Sequence, residues 1–481
     1  MKSLNLALFF ACAVLTAACG DDPVGGGRDQ LTLSADSTYI AAQETVQLTA
    51  SVGSAAASGT SYRSLNEVVA TVDAAGLVTG RSVGVAAIVA ERGMLADTLQ
   101  IHVTPSPRDA LATGAVHTCV LDVDGKAHCW GTGTNGQLGN GSSTSSAAPV
   151  AVAGGRTFAM VEAGDSTSCA VTPEGEGYCW GSGRLGQLGN GSLESSAVPV
   201  RVSVPQPLAS ISVGFRVACA LARDGTAYCW GRNTFGNVGN GNRVMVTTPT
   251  PVSTSLKFRQ ISVGLAQSCG LTADGAAYCW GQNVFRTLGT GDVAERLTPA
   301  AVSGGLRFAT LDAGSITTCG ITSAGETYCW GTNYFGGLGL GHQGIVGSEG
   351  MVPARVVGTQ LFSQVSAGEE NNSTAPTCLL TAEGQAFCMG ANGSGQLGTA
   401  ATTETCRFTS TSPPFGCASR PLPVLGAPFF ETVDAGLEFV CALTHFGDVY
   451  CWGANDSLQL GTFSGPSTST PVQVAANLRL P

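Results

Sequence analysis

The stretch CALARDGTAYCWG, residues 219–231, decides the fold of this chain, because close copies of it recur along the sequence. Two short runs of strand-forming residues flank the turn Arg223-Asp224-Gly225. A three-residue hairpin loop favours glycine in its last position, where the backbone is left-handed and glycine meets the least steric cost. The stretch therefore predicts an antiparallel β-hairpin with one cysteine on each strand.

The hairpin belongs to a longer unit that occurs seven times. Its copies read CVLDVDGKAHCWG, CAVTPEGEGYCWG, CALARDGTAYCWG, CGLTADGAAYCWG, CGITSAGETYCWG, CLLTAEGQAFCMG and CALTHFGDVYCWG. Their first cysteines are 50, 50, 50, 50, 59 and 63 residues apart. A short strand such as ISVG (211–214) precedes each copy, and a glycine loop such as GQLGNG (136–141) and a strand such as PVRV (199–202) follow it. Four strands per unit and seven units predict an all-β fold, a seven-bladed β-propeller.

The hairpin register places the two cysteines of each copy opposite each other. Counting outward from the loop pairs Cys119 with Cys129 at a non-hydrogen-bonded position. Cα atoms lie about 4.5 Å apart there, and a disulfide spans about 4.4–6.8 Å. Free thiols remain an alternative, as does zinc, which would need four ligands at one site. Including an eighth pair in an insertion, the predicted disulfide cysteines are Cys119, Cys129, Cys169, Cys179, Cys219, Cys229, Cys269, Cys279, Cys319, Cys329, Cys378, Cys388, Cys406, Cys417, Cys441 and Cys451.

Composition agrees with an all-β protein and narrows its partners. Of the 481 residues, 66 are glycine, 18 are cysteine and only 12% are charged, which is typical of many short strands joined by tight turns. The formal net charge is −10 and no lysine and arginine cluster occurs, whereas a nucleic-acid-binding protein needs a basic surface. We therefore expect no nucleic-acid partner.

The N-terminus has the pattern of an export signal. Met1-Lys2 precedes an apolar run that ends in small residues at Cys19, so residues 1–18 are predicted to be a signal peptide, and Cys12 is removed with it. The stretch LTAAC (15–19) resembles a bacterial lipoprotein box, except that leucine lies four rather than three residues before cysteine. The resemblance implies that Cys19 is acylated, that residues 19–29 are a flexible tether, and that the protein is anchored to the bacterial cell envelope, on its periplasmic face or at the cell surface. Cleavage without lipidation is the alternative.

A separate small domain follows the tether. Residues 30–104 alternate apolar and polar positions in short runs separated by turns, which predicts a β-sandwich. The runs NEVVATVD (66–73), GLVTG (76–80) and GVAAIVA (84–90) resemble the bacterial immunoglobulin-like group 2 domain. Such a domain implies a spacer, or alternatively an adhesive module. Pro105-Ser106-Pro107 then links it to the propeller, residues 108–481.

The glycine loops identify the repeat type. GTGTNGQLG (131–139) and GANGSGQLG (390–398) closely resemble the repeat of the regulator of chromosome condensation, although Met389 replaces the usual tryptophan in the sixth copy. The resemblance implies a propeller. For the founding members it implies nucleotide exchange on a Ran-type GTPase, a cytosolic partner that an exported protein does not meet.

Six of the seven copies have a tryptophan directly after the second cysteine, on the opposite strand face. A bulky residue there is predicted to pack between blades, and carbohydrate stacking is the alternative. These residues are Trp130, Trp180, Trp230, Trp280, Trp330 and Trp452.

The sequence contains no recognisable catalytic motif. The five histidines share no repeat position or metal-ligand spacing, and neither GxSxG nor a P-loop occurs. We therefore expect a protein that is not an enzyme and has no cofactor or metal site. A Ser/His/Asp set assembled only in space stays open.

Loop length points to one face of the propeller. The connections between first and second strands and between third and fourth strands emerge on the same face, and all extra length falls there, at 340–352, 369–377 and 399–421. Long loops on a rigid scaffold often carry function. The candidate partner-binding residues on this face are Phe235, Phe285, Phe335, Glu369, Glu370, Arg407, Phe408 and Phe415. The alternative is that the phenylalanines pack between blades and the loops have no role.

These features predict a monomeric, non-catalytic cell-envelope lipoprotein whose propeller binds a protein or polysaccharide through its long-loop face. The alternatives are nucleotide exchange, a secreted protein inhibitor of an enzyme, and a glycan-acting enzyme. The last would require clustered carboxylates, but Glu369 and Glu370 are adjacent and would point apart on a strand.

The disulfides provide the first testable prediction. Alkylation of the unfolded, unreduced mature protein should label none of the sixteen cysteines from 119 to 451, and mass spectrometry should find each cysteine joined to its hairpin partner. Reduced thiols, or linkages between different hairpins, would refute the predicted register.

Overall fold

The computed structural model describes residues 30–344, 349–368, 374–400, 402, 404–407, 409, 411–462 and 465–474. The predicted signal peptide, Cys19 and the tether lie outside the described residues, as do Glu369, Glu370 and Phe408. The described part of the chain consists of strands and loops, with one short helix, α1, at Pro107–Ala110.

The N-terminal domain is a sandwich of two sheets. Its strands are β1 (Leu31–Ala35), β2 (Tyr39–Ala41), β3 (Thr45–Val52), β4 (Ala55–Ala56), β5 (Ser61–Ser64), β6 (Ala70–Val72), β7 (Leu77–Gly80), β8 (Gly84–Arg92) and β9 (Leu95–Thr104). One sheet has the order β1-β3-β7-β6 with β4 at the edge, and the other has β2-β9-β8-β5. Leu31, Ile88 and Ile101 are completely buried in the shared core.

Seven further sheets follow in chain order, and we number them 1 to 7. Sheet 1 contains β10 (Leu111–Thr113), β11 (His117–Leu121), β12 (Ala127–Gly131) and β13 (Ser146–Ala151). Sheet 2 contains β14 (Met160–Ala163), β15 (Thr167–Val171), β16 (Gly177–Gly181) and β17 (Ser196–Arg201). Sheet 3 contains β18 (Leu208–Val213), β19 (Val217–Ala222), β20 (Ala227–Gly231) and β21 (Val246–Pro251). Sheet 4 contains β22 (Phe258–Val263), β23 (Gln267–Thr272), β24 (Ala277–Gly281) and β25 (Arg296–Ala301).

Sheet 5 contains β26 (Thr310–Ala313), β27 (Thr317–Ile321), β28 (Thr327–Gly331) and β29 (Ala354–Arg355). Sheet 6 contains β30 (Gln364–Ala367), β31 (Thr377–Leu380), β32 (Ala386–Ala391), β33 (Glu404–Cys406) and β34 (Phe415–Pro423). Sheet 7 contains β35 (Phe430–Ala435), β36 (Phe439–Thr444), β37 (Val449–Gly453) and β38 (Thr468–Gln473). Neighbouring strands are antiparallel, and sheet 6 has a fifth strand because β33 in the insertion pairs with β34.

Each hairpin has the register that the sequence predicts. In sheet 1 the Asp122 N–H donates to the Lys126 carbonyl at 2.9 Å, and Cys119 faces Cys129. The structure contains all eight predicted disulfides. The facing pairs bring Cα atoms to 4.0–4.1 Å, as expected for non-hydrogen-bonded positions, while Cys406 and Cys417 lie diagonally at 5.9 Å.

The six tryptophans pack between neighbouring sheets, as the strand alternation predicts. All six are completely buried. The indole N–H of Trp180 in sheet 2 donates to the Gln137 carbonyl in the glycine loop of sheet 1, at 2.9 Å. The same bond joins Trp230 to Gln187, Trp280 to Asn237, Trp330 to Thr287 and Trp452 to Gln396. The indole N–H of Trp130 in sheet 1 donates in the same way to the Gln459 carbonyl of sheet 7, at 2.9 Å.

The first strands of the seven sheets line one cavity of about 250 Å³, which we call the central cavity. Side chains there join one first strand to the next. The Ala313 N–H donates to the Ser262 hydroxyl at 2.8 Å, and the Ala435 N–H donates to the Ser366 hydroxyl at 2.9 Å. The Thr113 N–H of sheet 1 donates to the Asp434 carboxylate of sheet 7 at 2.6 Å, so the last sheet contacts the first as the others contact their neighbours.

Two glycines of one loop allow the cost of backbone strain to be measured separately from the cost of overpacking. Gly239 and Gly241 both have left-handed backbones, with φ of +76° and +84°. A Cβ at Gly239 would lie 2.6 Å from Nε1 of Trp280, while a Cβ at Gly241 would meet nothing within 4 Å. We expect Gly241→Ala to lower the free energy of unfolding by about 1 kcal/mol and Gly239→Ala by about 3 kcal/mol, because overpacking adds to the strain. Denaturant unfolding with intact disulfides measures both, and equal losses would contradict the packing role of Gly239.

Candidate functional site

The candidate site lies on the face that carries the first-to-second and third-to-fourth strand connections. We call it the loop face, and the opposite side, with the β-hairpin turns, the hairpin face. Two neighbouring cavities open there. The polar hollow, about 570 Å³, lies across sheets 1–3, and the aromatic hollow, about 250 Å³, lies across sheets 3 and 4.

The polar hollow is lined mainly by amide, hydroxyl and charged side chains. Asn135, Gln137, Gln187 and Arg184 come from the glycine loops of sheets 1 and 2. Oε1 of Gln137 accepts the Asn135 N–H at 2.9 Å and so closes its own loop. Nε2 of Gln137 is buried and has no acceptor among the described residues. A buried donor without a partner is uncommon in folded proteins, and ordered water or a ligand is what can satisfy it.

The aromatic hollow combines phenylalanine rings with guanidinium groups. Phe215, Phe235 and Phe285 contribute its rings. The Arg216 guanidinium lies 4.4 Å from the centroid of Phe215, and that of Arg232 lies 5.3 Å from the centroid of Phe235. The hollow therefore presents apolar ring faces beside positive charge.

Arg216 belongs to both hollows. Its backbone is left-handed, with φ of +66°, which is uncommon for a residue with a side chain. Its Nε lies 3.4 Å from a carboxylate oxygen of Asp165, the ion-pair partner found among the described residues. The side chain is 42% exposed, so it is accessible to a ligand where the two hollows meet.

The structure divides the predicted site residues into two groups. Half-buried Phe235 and Phe285 lie together in the aromatic hollow. Phe335 is instead buried and packs edge to face on Phe415, with centroids 5.2 Å apart, in a cluster with the Cys406–Cys417 disulfide. Arg407 is exposed and donates to the Ser412 carbonyl at 2.6 Å.

The sequence patterns do not mark Arg184, Arg216, Arg232 or Gln137 as site residues. A comparison of the equivalent turn positions could have found Arg216. A glycine recurs after the first strand of each unit, as at Gly214. The residues two places after it are Val116, Ser166, Arg216, Ala266 and Ile316 in sheets 1–5 and Glu438 in sheet 7, and only one of these is a cation.

Comparison with known proteins defines the family. The model of the RCC1-like domain matches residues 93–414, which is more than half of the chain, and that of the RCC1 repeat matches residues 447–479. The chain belongs to the RCC1-like domain family. The bacterial Ig-like domain (group 2) model matches residues 29–101, in agreement with the N-terminal sandwich. A search of curated protein sequences finds no match.

Solved structures share the fold of this RCC1-like chain. Yeast RCC1 (Prp20), crystallised with Kap60, is 21% identical with a TM-score of 0.64, and the match covers 73% of this chain and 83% of that one. Prp20p of Saccharomyces cerevisiae in a separate structure is 20% identical, with a TM-score of 0.64 and coverage of 73% and 86%. Human WBSCR16 is 18% identical, with a TM-score of 0.62 and coverage of 73% and 94%. At these identities the likeness establishes the propeller fold alone.

The central cavity of the RCC1-like domain carries acidic side chains. Burial raises the pKa of Asp312 to about 6, although hydrogen bonds from the Ala367 N–H and the Ser262 hydroxyl favour its charged form. Burial also raises the pKa of Asp109 in α1 to about 6. Burial, together with the nearby Asp434 and Asp312 carboxylates, raises the pKa of Glu162 well above its usual range. Within the described residues, these and other groups form no cluster of three or more side chains able to hold a metal ion.

His117 is buried beside the polar hollow. Its Nε2 lies 2.8 Å from the Ser168 hydroxyl, which itself donates to the Gln137 carbonyl at 2.9 Å, so Nε2 carries the proton. Nδ1 has no donor among the described residues, and burial lowers the pKa of His117 to about 4. The imidazole is therefore neutral in the folded protein above that pH.

His117 should make the free energy of unfolding depend on pH. The unfolded histidine, with a pKa of about 6.5, binds a proton between pH 6.5 and 4 while the folded one does not, so this group destabilises the fold as pH falls through that window. The raised pKa values of Asp312 and Asp109 act in the opposite direction, because there the folded state holds the protons. His117→Gln isolates the histidine, since Gln267 occupies the equivalent position in sheet 4 and donates to the Gly314 carbonyl.

From pH 7 to pH 4, the original protein should lose on the order of 3 kcal/mol of unfolding free energy relative to His117→Gln. Denaturant midpoints at the two pH values measure the difference. If the unfolding free energy of the variant changed with pH in parallel with that of the original protein, the folded and unfolded states would bind a proton on His117 equally well, and the lowered pKa would be refuted.

Proposed function

We propose that this RCC1-like chain is a non-catalytic binding protein of the bacterial cell envelope, which captures a protein or glycan partner on its loop face. The observation that carries the proposal is the pair of hollows that share Arg216. They combine hydrogen-bonding groups, ring faces and exposed positive charge, which is the chemistry of recognition. Two carboxyls of the central cavity, those of Asp312 and Asp434, are held in hydrogen bonds between strands.

We infer that the seven sheets form a closed seven-bladed ring. Two kinds of bond support this inference, because both occur between internal neighbours and again between sheets 7 and 1. They are the tryptophan bond, from Trp130 to Gln459, and the first-strand bond, from Thr113 to Asp434. A closed ring would hold the loop face rigid, so that a partner binds without ordering the scaffold.

The proposed location rests on covalent chemistry and on the N-terminal sequence. Eight disulfides indicate an oxidising, extracytoplasmic compartment. Acylation of Cys19 would attach the chain to the membrane, and the domain at residues 30–104 would serve as a spacer. Within the described residues, the structure contains no helix with the length and apolar character needed to cross a bilayer.

A matched pair of substitutions tests the binding face. Phe285→Asp places a charge in the aromatic hollow, and Phe446→Asp places one on the hairpin face, where Phe446 is 89% exposed. Binding of the mature protein to arrays of envelope glycans and envelope proteins should lose its signal with Phe285→Asp and keep it with Phe446→Asp. Both variants should retain unfolding midpoints close to the original. Signals lost only with Phe446→Asp would place recognition on the other face.

A further inference from the structure

We propose that the polar and aromatic hollows form one binding site for an acidic oligosaccharide. Arg216 would hold a uronate carboxylate between the hollows, and a neighbouring sugar ring would stack on Phe235 or Phe285. This inference rests on the proposed function, because it names the class of partner that the loop face takes.

The charge at the site is positive although the chain as a whole is acidic, so the site favours an anionic ligand. The chain carries 33 acidic and 23 basic residues. The two hollows are lined by Arg184, Arg216 and Arg232, and Asp165 is the one carboxylate among their described lining residues. An opposite local charge in an acidic protein attracts an anionic ligand to that surface and repels it elsewhere. A guanidinium also fits a carboxylate with two parallel hydrogen bonds.

The polar lining matches the hydroxyl groups of a sugar. Hydroxyl and amide side chains surround Arg184 in the polar hollow, and each can donate or accept. Nε2 of Gln137 is a buried donor without an acceptor, and Gln137 lines this hollow. A sugar hydroxyl, or a water held by one, would supply the missing acceptor.

The size and the apolar part of the site favour a sugar over a protein loop. The polar hollow, at about 570 Å³, lies in the range of small-ligand pockets, about 300–1,000 Å³, and the aromatic hollow adds about 250 Å³ beside it. Protein interfaces bury about 800 Å² on each partner around an apolar centre, whereas the aromatic hollow offers the half-buried rings of Phe235 and Phe285 beside the buried ring of Phe215. The C–H face of a sugar ring needs no more than such a ring beside hydrogen-bonding groups.

Calorimetry with defined oligomers tests the proposal on the full mature chain. The probes are tetragalacturonate, its fully methyl-esterified form and a hexaglutamate peptide. Tetragalacturonate should bind, the ester should bind at least about tenfold more weakly because it lacks the charge, and hexaglutamate should bind weakly because it lacks the sugar ring. Absence of tetragalacturonate binding, equal binding of the ester, or equal or tighter binding of hexaglutamate would overturn the proposal.

Substitutions locate the binding on the chain. Arg216→Gln should weaken tetragalacturonate binding by about tenfold or more, and Phe285→Ala should weaken both the acid and the ester. The control is Arg307→Gln on the hairpin face, where an exposed arginine pairs with Asp274 at 3.2 Å, and it should leave binding unchanged. An effect of Arg307→Gln equal to that of Arg216→Gln would show general charge attraction and overturn the site.

The outcomes separate this proposal from the broader one. An array partner that depends on Phe285, without binding of tetragalacturonate, would overturn only the acidic-sugar proposal. Arrays whose signals never depend on Phe285 would overturn the proposed function of the loop face.

Discussion

The contact on which the propeller depends is the tryptophan indole of one sheet donating to the glycine loop of the sheet before it. In the loop GQLG, residues 136–139, the last three residues each have a separate role in this contact. The side chain of Gln137 closes the loop on Asn135, and its carbonyl accepts the Trp180 indole. Leu138 is completely buried, and Gly139 has no side chain where Trp180 packs, because a Cβ would lie 2.7 Å from the indole nitrogen. The residues of the repeated motif are therefore those that form the interface between neighbouring sheets.

The disulfides belong to the same interfaces. Cys219 and Cys229 of sheet 3 share a buried cluster with Trp280 of sheet 4, and Cys319 and Cys329 of sheet 5 share one with Met389 of sheet 6. Each bridge closes a loop of about 11 residues, which is worth about 2–3 kcal/mol at most and less when the hairpin is already formed locally. The cysteines therefore contribute as compact apolar packing on one face of a sheet, while the tryptophan packs from the next sheet. Met389 fills this space in sheet 6 without an indole donor.

The sequence predicted what depends on local register and missed what depends on contacts between repeats. Hairpin length alone pairs Cys119 with Cys129, and a period near 50 residues reveals the repeated sheet. The pairing of β33 with β34 was missed, because a short strand in a long insertion leaves little periodicity. Phe335 looked equivalent to Phe235 and Phe285, but the insertion of sheet 6 brings Phe415 over it and buries it. Arg184 lies in sheet 2 and Arg216 and Arg232 lie in sheet 3, so the site that they share is visible only when the sheets are assembled.

The hairpin face and the loop face differ in how tightly their turn residues pack against the rest of the fold. On the hairpin face, the chain entering each new sheet bonds to the preceding turn, as when the Phe258 N–H donates to the Gly225 carbonyl at 2.9 Å and the Phe308 N–H to the Gly275 carbonyl at 2.9 Å. Space there is tight, since a Cβ at Gly225 would lie 2.9 Å from the Phe258 carbonyl. On the loop face, the equivalent turn residues share a backbone role, and some add a side-chain contact. Glu438 accepts from the Thr374 and Ser394 hydroxyls at 2.8 Å, and Arg216 pairs with Asp165. The carbonyl of Arg216 accepts the Arg232 N–H at 2.8 Å, as the carbonyls of Val116 and Ile316 accept in sheets 1 and 5. The contribution that these positions share is a backbone carbonyl, and their side chains differ from sheet to sheet. The loop face is therefore where the repeat can acquire new binding chemistry while the interfaces between sheets stay the same.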